Sequence, residues 1–473
     1  MDKFKNITIA TARKGLDQGD FTATDLVNYY LDNIKNKDTD IHAYLEVFAD
    51  ALEQAKLADE KIAKGEKGEL LGIPFSIKDN ILFKGHKASA SSKMLENYTA
   101  TYDATGIKKL KDAGVIILGR TNMDEFAMGS STENSAFGPT KNPVDLSRVP
   151  GGSSGGAAAS VAGDMTLMAL GTDTGGSVRQ PASFCGVVGL MPTYGAISRY
   201  GIMAMGSSLD QIGPVGKTVT DVETVFKVLK GQDRYDGTTL DYSFPEISKD
   251  KKLKIGVPTE ILKIDGVDET VRKNFAEAIE TLKKNGHEVK DVSMPNLSYA
   301  LSAYYILMPA EVSSNLARFD GVKYGLHKDG KNMVDDYFET RREGFGKEVR
   351  RRILLGTYVL SSGYYDSYYN KANIVRQLIS KDYDQAFEQV DVIITPTTPT
   401  PAFKFGEKTA NPLEMYLADI FTVPVNIVGV PAISVPCGFK EVEGKKLPLG
   451  LQFTAPKMRE DLLFHIGKNF LNE

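Results

Sequence analysis

The chain has 473 residues, 57 Lys+Arg against 61 Asp+Glu, and a formal net charge of −4. With 42% hydrophobic and 25% charged residues it has the make-up of a soluble globular protein, long enough for a large core, and no global attraction to nucleic acid or anionic membrane. The five His (His42, His86, His287, His327 and His465) never form H-x-x-x-H, and Cys185 and Cys437 make neither a CxxC pair nor a disulfide framework. A helical zinc site is therefore excluded, and a reducing compartment, the cytoplasm, is expected.

Residues 2 to 5 read Asp-Lys-Phe-Lys with no apolar stretch after them, so no signal peptide is expected. Residues 1–64 read as helical. Thr22 and Asp25 have capping-box spacing, with a helix following through Leu31, and Tyr44 to Lys64 carries apolar residues at helical spacing up to Gly65. Leu71 to Lys78 then reads as a strand, Thr105 to Ala113 as a helix stopped by Gly114, and Val115 to Leu118 as a short buried strand. Residues 141–216 are dense in Gly, Ser and Ala. Lys254 to Gly286 reads strand, helix, glycine stop, and His287 to Met294 reads as another strand. Residues 300–385 are mostly helical and rich in Tyr.

Val390 to Thr395 and Ala432 to Val435 are β-rich runs closed by Pro396 and Pro436; Leu449 to Phe453 is another, and a terminal helix starts near Arg459. The longest uncharged run, Ile420 to Phe439, contains Pro424, Pro431 and Pro436, which suits buried strands and turns and not a membrane span. Strand–helix alternation implies an α/β fold. We expect a single domain over residues 1–473: N-terminal helices to 64, a Ser/Gly-rich core over 65–230, a helical and βαβ-like insertion over 231–385, and final strands with a C-terminal helix over 386–473.

Chemistry concentrates in Gly151-Gly-Ser-Ser-Gly-Gly-Ala-Ala-Ala-Ser160 and Gly171-Thr-Asp-Thr-Gly-Gly-Ser-Val-Arg179. A flexible linker does not fit, because the small-residue helix Ala157–Ala162 and the apolar strand Leu167–Gly171 follow directly. Phosphate binding is disfavoured: no G-x-G-x-x-G occurs, and Gln211 stands where a P-loop ending in Gly216-Lys217-Thr218 requires glycine. A hydrolase elbow is permitted by the overlapping G-x-S-x-G at Ser153 and Ser154, with His465 as the base that chain order allows, although no His-Gly-Gly segment accompanies it and His465 sits in an apolar helix. The remaining base is Lys78. On a strand it shares a face with Ser76 and Asn80, and burial would bring its pKa down from about 10.4 toward neutrality. Taken alone, a surface lysine after a strand is the better reading of this residue.

Gly151-Gly-Ser-Ser-Gly-Gly, Val161-Ala162 and Ala169-x-Gly171-x-Asp173-x-Gly175-x-Ser177-Val-Arg179-x-Pro181 together resemble the amidase-signature family, and Lys78 stands where that family keeps its catalytic lysine. The resemblance implies a large mixed central sheet covered by helices on both faces, and a Ser–Ser–Lys triad: Ser177 as nucleophile, Ser153, with a cis bond before it, as relay, and Lys78 as base. It also implies an oxyanion hole from the N–H groups of Thr174, Gly175 and Gly176. Asp173 and Arg179 read as a structural ion pair and Cys185 as a small buried residue.

Arg120 to Ser135, Ser208 to Pro214, Glu343 to Arg350 and Ser361 to Asp366 carry the resemblance over nearly the whole chain, toward the branch serving glutamyl-tRNA(Gln)/aspartyl-tRNA(Asn) amidotransferases. That branch implies L-glutamine as amide donor, held by Tyr304, Arg352 and Asp419. A zwitterion requires a cation for its carboxylate and an anion for its ammonium. Tyr305 neighbours Tyr304, so the register admits either ring, and Arg350-Arg-Arg352 also reads as a solvated helix turn. The branch further implies no cofactor or metal in this chain, and B- and C-subunits as its partners in a heterotrimer. ATP and Mg²⁺ would be used by the B-subunit, mischarged Glu-tRNA(Gln) would be gripped mainly by the B-subunit, and no membrane is involved. The alternatives are a stand-alone amidase and a non-enzymatic protein that binds nucleotide or serves as a scaffold.

Overall fold

The computed structural model describes residues 2–245, 247–260, 264–409 and 412–473. Eleven strands form one sheet among the described residues. In chain order they are β1 Tyr44–Val47, β2 Pro74–Lys78, β3 Ile116–Thr121, β4 Met168–Asp173, β5 Val188–Met191, β6 Gln211–Gly216, β7 Lys254–Pro258, β8 Glu288–Val292, β9 Val392–Pro396, β10 Ala432–Val442 and β11 Lys445–Thr454. They lie in the order β1-β3-β2-β4-β6-β5-β10-β11-β9-β7-β8. β2 runs parallel to both β3 and β4, and β7 to both β8 and β9, whereas β4–β6, β5–β6, β5–β10, β10–β11, β9–β11 and β1–β3 are antiparallel. The sheet is therefore mixed.

Helices cover both faces, and strand alternation shows why. In β4, Met168 and Leu170 enter the core under the N-terminal and C-terminal helices, whereas Ala169 faces the small-residue helix Gly155–Ala162 on the other side. That helix is Gly, Ala, Ser and Val only, so it lies close to the sheet and brings its preceding loop against the strand ends.

Local signals are seen where they were expected. Thr22 and Asp25 form a reciprocal capping box, although the helix they start, Ala23–Ile41, runs past Leu31. Three expectations are corrected. Tyr44 to Lys64 is not one helix: Tyr44–Val47 is an edge strand on β3, and the helix begins at Ala51. The uncharged run from Ile420 is not only strands and turns, because Val423–Val428 is a short helix with Pro424 in its first turn, where a missing N–H costs nothing. Pro436 does not end β10; the strand continues to Val442 past an irregularity between Pro436 and Phe439.

Candidate active site

Lys78 is the last residue of β2. Alternation sends Phe75 and Ile77 into the core and leaves Lys78 on the opposite face, fully buried. Its Nζ lies 2.8 Å from Ser153 Oγ, 2.8 Å from Ser154 Oγ, 2.8 Å from Thr172 Oγ1 and 3.2 Å from Thr172 O. Burial drives its pKa down to about 7, against the opposing pull of Asp124, Asp173 and Asp210. The buried environment thus brings a lysine to the range in which a neutral amine accepts a proton. Two carboxylates near it are themselves shifted: burial raises Asp124 and Asp210 to about 6 each.

Ser153 follows a cis Gly152–Ser153 peptide bond. Ser177 enters from the turn after β4, and its carbonyl accepts the Ser154 N–H at 3.1 Å, which ties the two serine segments together. No side-chain hydrogen bond joins Ser153 to Ser177 among the described residues; Ser153 Oγ is held by Lys78 alone. Ser177 is 7% exposed while Ser153 and Lys78 are 0%, so of the three residues only Ser177 keeps any surface open to solvent.

The expected oxyanion donors are divided. Gly176 N–H already donates to Asp173 Oδ1 at 2.8 Å. That corrects its assignment, because an N–H spent on a fixed carboxylate is not offered to a developing anion. The N–H groups of Thr174, Gly175 and Ser177 have no acceptor among the described residues. Gly176 has φ +133°, open to glycine and strained for other residues, and this conformation turns the chain into Ser177.

Asp173 and Arg179 are the frame of the turn. Asp173 accepts Gly176 N–H, Val178 N–H and both Arg179 Nε and Nη2, at 2.8 to 3.1 Å. Burial pushes its carboxyl up, but the Arg179 charge and hydrogen bonds more than offset that and hold it below its usual value. Arg179 is fully buried and also reaches Gln452 Oε1 at 2.6 Å and Thr422 O at 3.2 Å. Every contact of the pair is structural, and neither group is open to a ligand.

The polar triplet lies beside this turn. Tyr304 packs on it: a Cβ at Gly175 would sit 2.6 Å from the Tyr304 hydroxyl. Asp419 is buried, accepting Ser130 Oγ at 2.8 Å and the Tyr305 hydroxyl at 3.3 Å. Burial raises it to about 7, opposed by Ser130, the Arg352 charge and Tyr305. Both adjacent rings thus take part, Tyr304 against the nucleophile turn and Tyr305 on the carboxylate.

Arg352 is buried where Arg350 and Arg351 are exposed, so the basic triplet is not uniformly a solvated turn. Its Nε donates to Glu348 Oε1 at 2.8 Å, and its guanidinium lies 5.6 and 5.8 Å from the Tyr305 and Tyr416 rings, which stack at 3.7 Å. Burial disfavours the charge, but Glu348 together with Tyr305, Tyr416 and Tyr304 more than restores it. A cavity of about 280 Å³ opens on Arg352, Tyr416, Glu348 and Ser131.

Sequence reasoning gave no role to Ser154, Thr172, Ser130 or Glu348, and named Tyr305 only as the alternative register to Tyr304. Ser154 was visible as the second half of an overlapping motif. Ser130, Thr172 and Glu348 lay within segments that carried the resemblance, with nothing local to mark them out.

Among the described residues, no histidine side chain hydrogen-bonds to Ser153, Ser154 or Ser177. His465 Nε2 lies 2.8 Å from Lys251 O, and His42, His86, His287 and His327 pair with Pro139, Asp50, Asn469 and Asp329. Cys185 is buried with its thiol pushed up by desolvation, which makes it inert as a nucleophile.

The Amidase family model matches residues 25–464. The chain belongs to the amidase family. The A-subunit of glutamyl-tRNA(Gln) amidotransferase from Microcystis aeruginosa (strain NIES-843 / IAM M-2473) is 52% identical over 453 residues, 94% of this chain and 93% of that protein. The protein of the same name from Desulfatibacillum aliphaticivorans is 51% identical over 470 residues, 98% and 96% of the two chains. Among solved structures, the A-subunit of glutamyl-tRNA(Gln) amidotransferase from Thermotoga maritima superposes with a TM-score of 0.79 at 42% identity, covering 98% of this amidase and 94% of that one. The peptide amidase of Stenotrophomonas maltophilia also matches, with a TM-score of 0.82 at 26% identity and coverage of 99% and 97%.

Proposed function

We propose that this amidase is the glutamine-hydrolysing A-subunit of a glutamyl-tRNA(Gln) amidotransferase. The observation that carries the chemistry is Lys78, fully buried, with a pKa of about 7 and its Nζ 2.8 Å from Ser153 Oγ. Substrate choice is supported by Arg352 and Asp419, a buried cation and carboxylate suited to the two charges of free glutamine. An amidase for apolar amides would not gain from burying either charge.

Ser177 Oγ attacks the side-chain carboxamide carbon. Its proton moves to Ser153 Oγ as the Ser153 proton moves to neutral Lys78 Nζ, once Ser177 closes on Ser153 in the substrate complex. The tetrahedral oxyanion lies on the N–H groups of Thr174, Gly175 and Ser177. One such donor contributes about 3–4 kcal/mol to the transition state. Collapse breaks the C–N bond, and the proton returns through Ser153 to the leaving nitrogen, which departs as ammonia. Water then attacks the glutamyl ester by the same relay and releases glutamate and Ser177.

The ammonia would pass to a partner, the B-subunit, which would use ATP and Mg²⁺ to activate the glutamate of mischarged Glu-tRNA(Gln) and grip the tRNA. A small C-subunit would complete the heterotrimer. This chain would need no cofactor of its own. No helix among the described residues is long and apolar enough to cross a membrane, and a cytoplasmic site of action fits a role in protein synthesis.

The test is glutaminase activity of the complex purified from the native host, with and without charged tRNA. Glutamate release that depends on Ser177 and is lost in Ser177→Ala supports the reading. Substantial turnover by Ser177→Ala, or hydrolysis of aryl and aliphatic amides in preference to glutamine, overturns it.

A further inference from the structure

Thr422 lies between the two halves of the site. Its side chain is fully buried, three residues beyond Asp419, just after the turn Leu417–Asp419. Its backbone N–H donates to Asp419 O at 3.1 Å. Its hydroxyl lies 2.6 Å from Gly175 O and 3.1 Å from Asp419 O, and its own carbonyl accepts Arg179 Nη1 at 3.2 Å. A hydroxyl has one proton, and the shorter contact assigns it to Gly175 O.

That carbonyl belongs to the Gly175–Gly176 peptide, whose N–H donates to Asp173 Oδ1 at 2.8 Å. A peptide is planar, so fixing its oxygen on Thr422 and its N–H on Asp173 fixes its whole orientation. The N–H groups on either side, those of Gly175 and Ser177, have no acceptor among the described residues. Their direction is set by the clamp. A Cβ on Gly176 would run into the Thr422 side chain, so the turn rests directly on this residue.

We infer that Thr422 is a positioning residue that couples the carboxylate subsite at Asp419 to the oxyanion turn before Ser177. A ligand ammonium that draws on Asp419 acts through the Asp419 carbonyl and the Thr422 backbone on the hydroxyl that orients the Gly175–Gly176 peptide. The site thus favours amides that carry an ammonium at the far end, by setting the turn for chemistry as well as by binding. This inference rests on the glutaminase reading.

The experiment compares the parent, Thr422→Val and Thr422→Ser in the full chain co-purified with its partner subunits, on L-glutamine and on glutaramate, which has the same carboxamide and carboxylate but no ammonium. Valine keeps the shape and removes the hydroxyl; serine keeps the hydroxyl. Expected is a kcat for glutamine reduced about tenfold or more in Thr422→Val, with KM changed less than about twofold, and Thr422→Ser within about threefold of the parent. Turnover of glutaramate should fall by a clearly smaller factor in Thr422→Val, because its coupling is already absent. Unchanged kcat in Thr422→Val, equal damage in Thr422→Ser, or the same loss on both substrates overturns the inference.

A parent without glutaminase activity would refute the functional reading and with it the coupling to a ligand ammonium, but not the positioning of the turn by Thr422. The rate of Ser177 sulfonylation by phenylmethanesulfonyl fluoride, followed by mass spectrometry, then decides. Slower labelling in Thr422→Val but not in Thr422→Ser supports the positioning role, and equal rates in all three proteins overturn it.

Discussion

Acid should reduce kcat/KM for glutamine more steeply than kcat, because two buried groups must be deprotonated and only one of them stays free to titrate once substrate is bound. Lys78 has a pKa of about 7 and works as the neutral amine, so its contribution is lost as pH falls through 7. Asp419 has also been raised to about 7 and serves an ammonium only as the carboxylate, so its contribution is lost over the same window. At pH 6 each group retains about one-tenth of its active form. The product makes kcat/KM fall roughly a hundredfold between pH 8 and pH 6, with a limiting slope of about two on a logarithmic plot. In the bound complex the substrate ammonium holds Asp419 ionised, so kcat reports Lys78 alone and falls about tenfold with a slope of about one.

Initial rates of glutamate release at fixed ionic strength give both curves, and Asp419→Asn supplies the control. This variant should raise KM at pH 8 and reduce the slope of kcat/KM to about one, leaving the kcat limb in place. A parent slope of one that Asp419→Asn does not change would refute the role of Asp419. A kcat that stays flat from pH 8 to pH 5.5 would refute Lys78 as the titrating base.

Ser130→Ala removes a hydrogen bond that favours the Asp419 carboxylate, so its pKa should rise further. KM measured at pH 7 should increase about tenfold or more, and the increase should shrink at pH 8.5, where the carboxyl ionises without help. Asp173→Asn leaves the fully buried Arg179 without its charged partner and should destabilise the fold by about 3–5 kcal/mol, read as a lower urea midpoint at unchanged slope.

What the sequence made legible was either local or carried by long motif spacing. Thr22 and Asp25 announce their helix because a capping box closes within four residues. Gly151 to Gly156 and Asp173 to Ser177 stand out because a turn that packs its backbone this closely tolerates few side chains. Lys78 is different: its strand face was readable, but its burial was not, since that depends on Ser153, Ser154 and Thr172, more than seventy positions away and brought in by the parallel β2–β4 pairing.

Edges and registers were hardest. Tyr44–Val47 is a strand only because β3 offers it partners at Gly119 to Thr121, and its own apolar spacing fits the helix that follows equally well. Tyr304 and Tyr305 lie about 100° apart around their helix. That helix is buried on several sides, so apolar periodicity gives no preferred face from which to assign the rings. The Gly176 N–H shows the same limit at the level of one atom: the motif places it beside the nucleophile, and only the folded turn shows that Asp173 has already taken it. A motif therefore identifies which segments build the site. Which donors remain free within it follows from the buried hydrogen bonds, and here those run through Asp173, Arg179 and Thr422, none of which touches the reacting carbon.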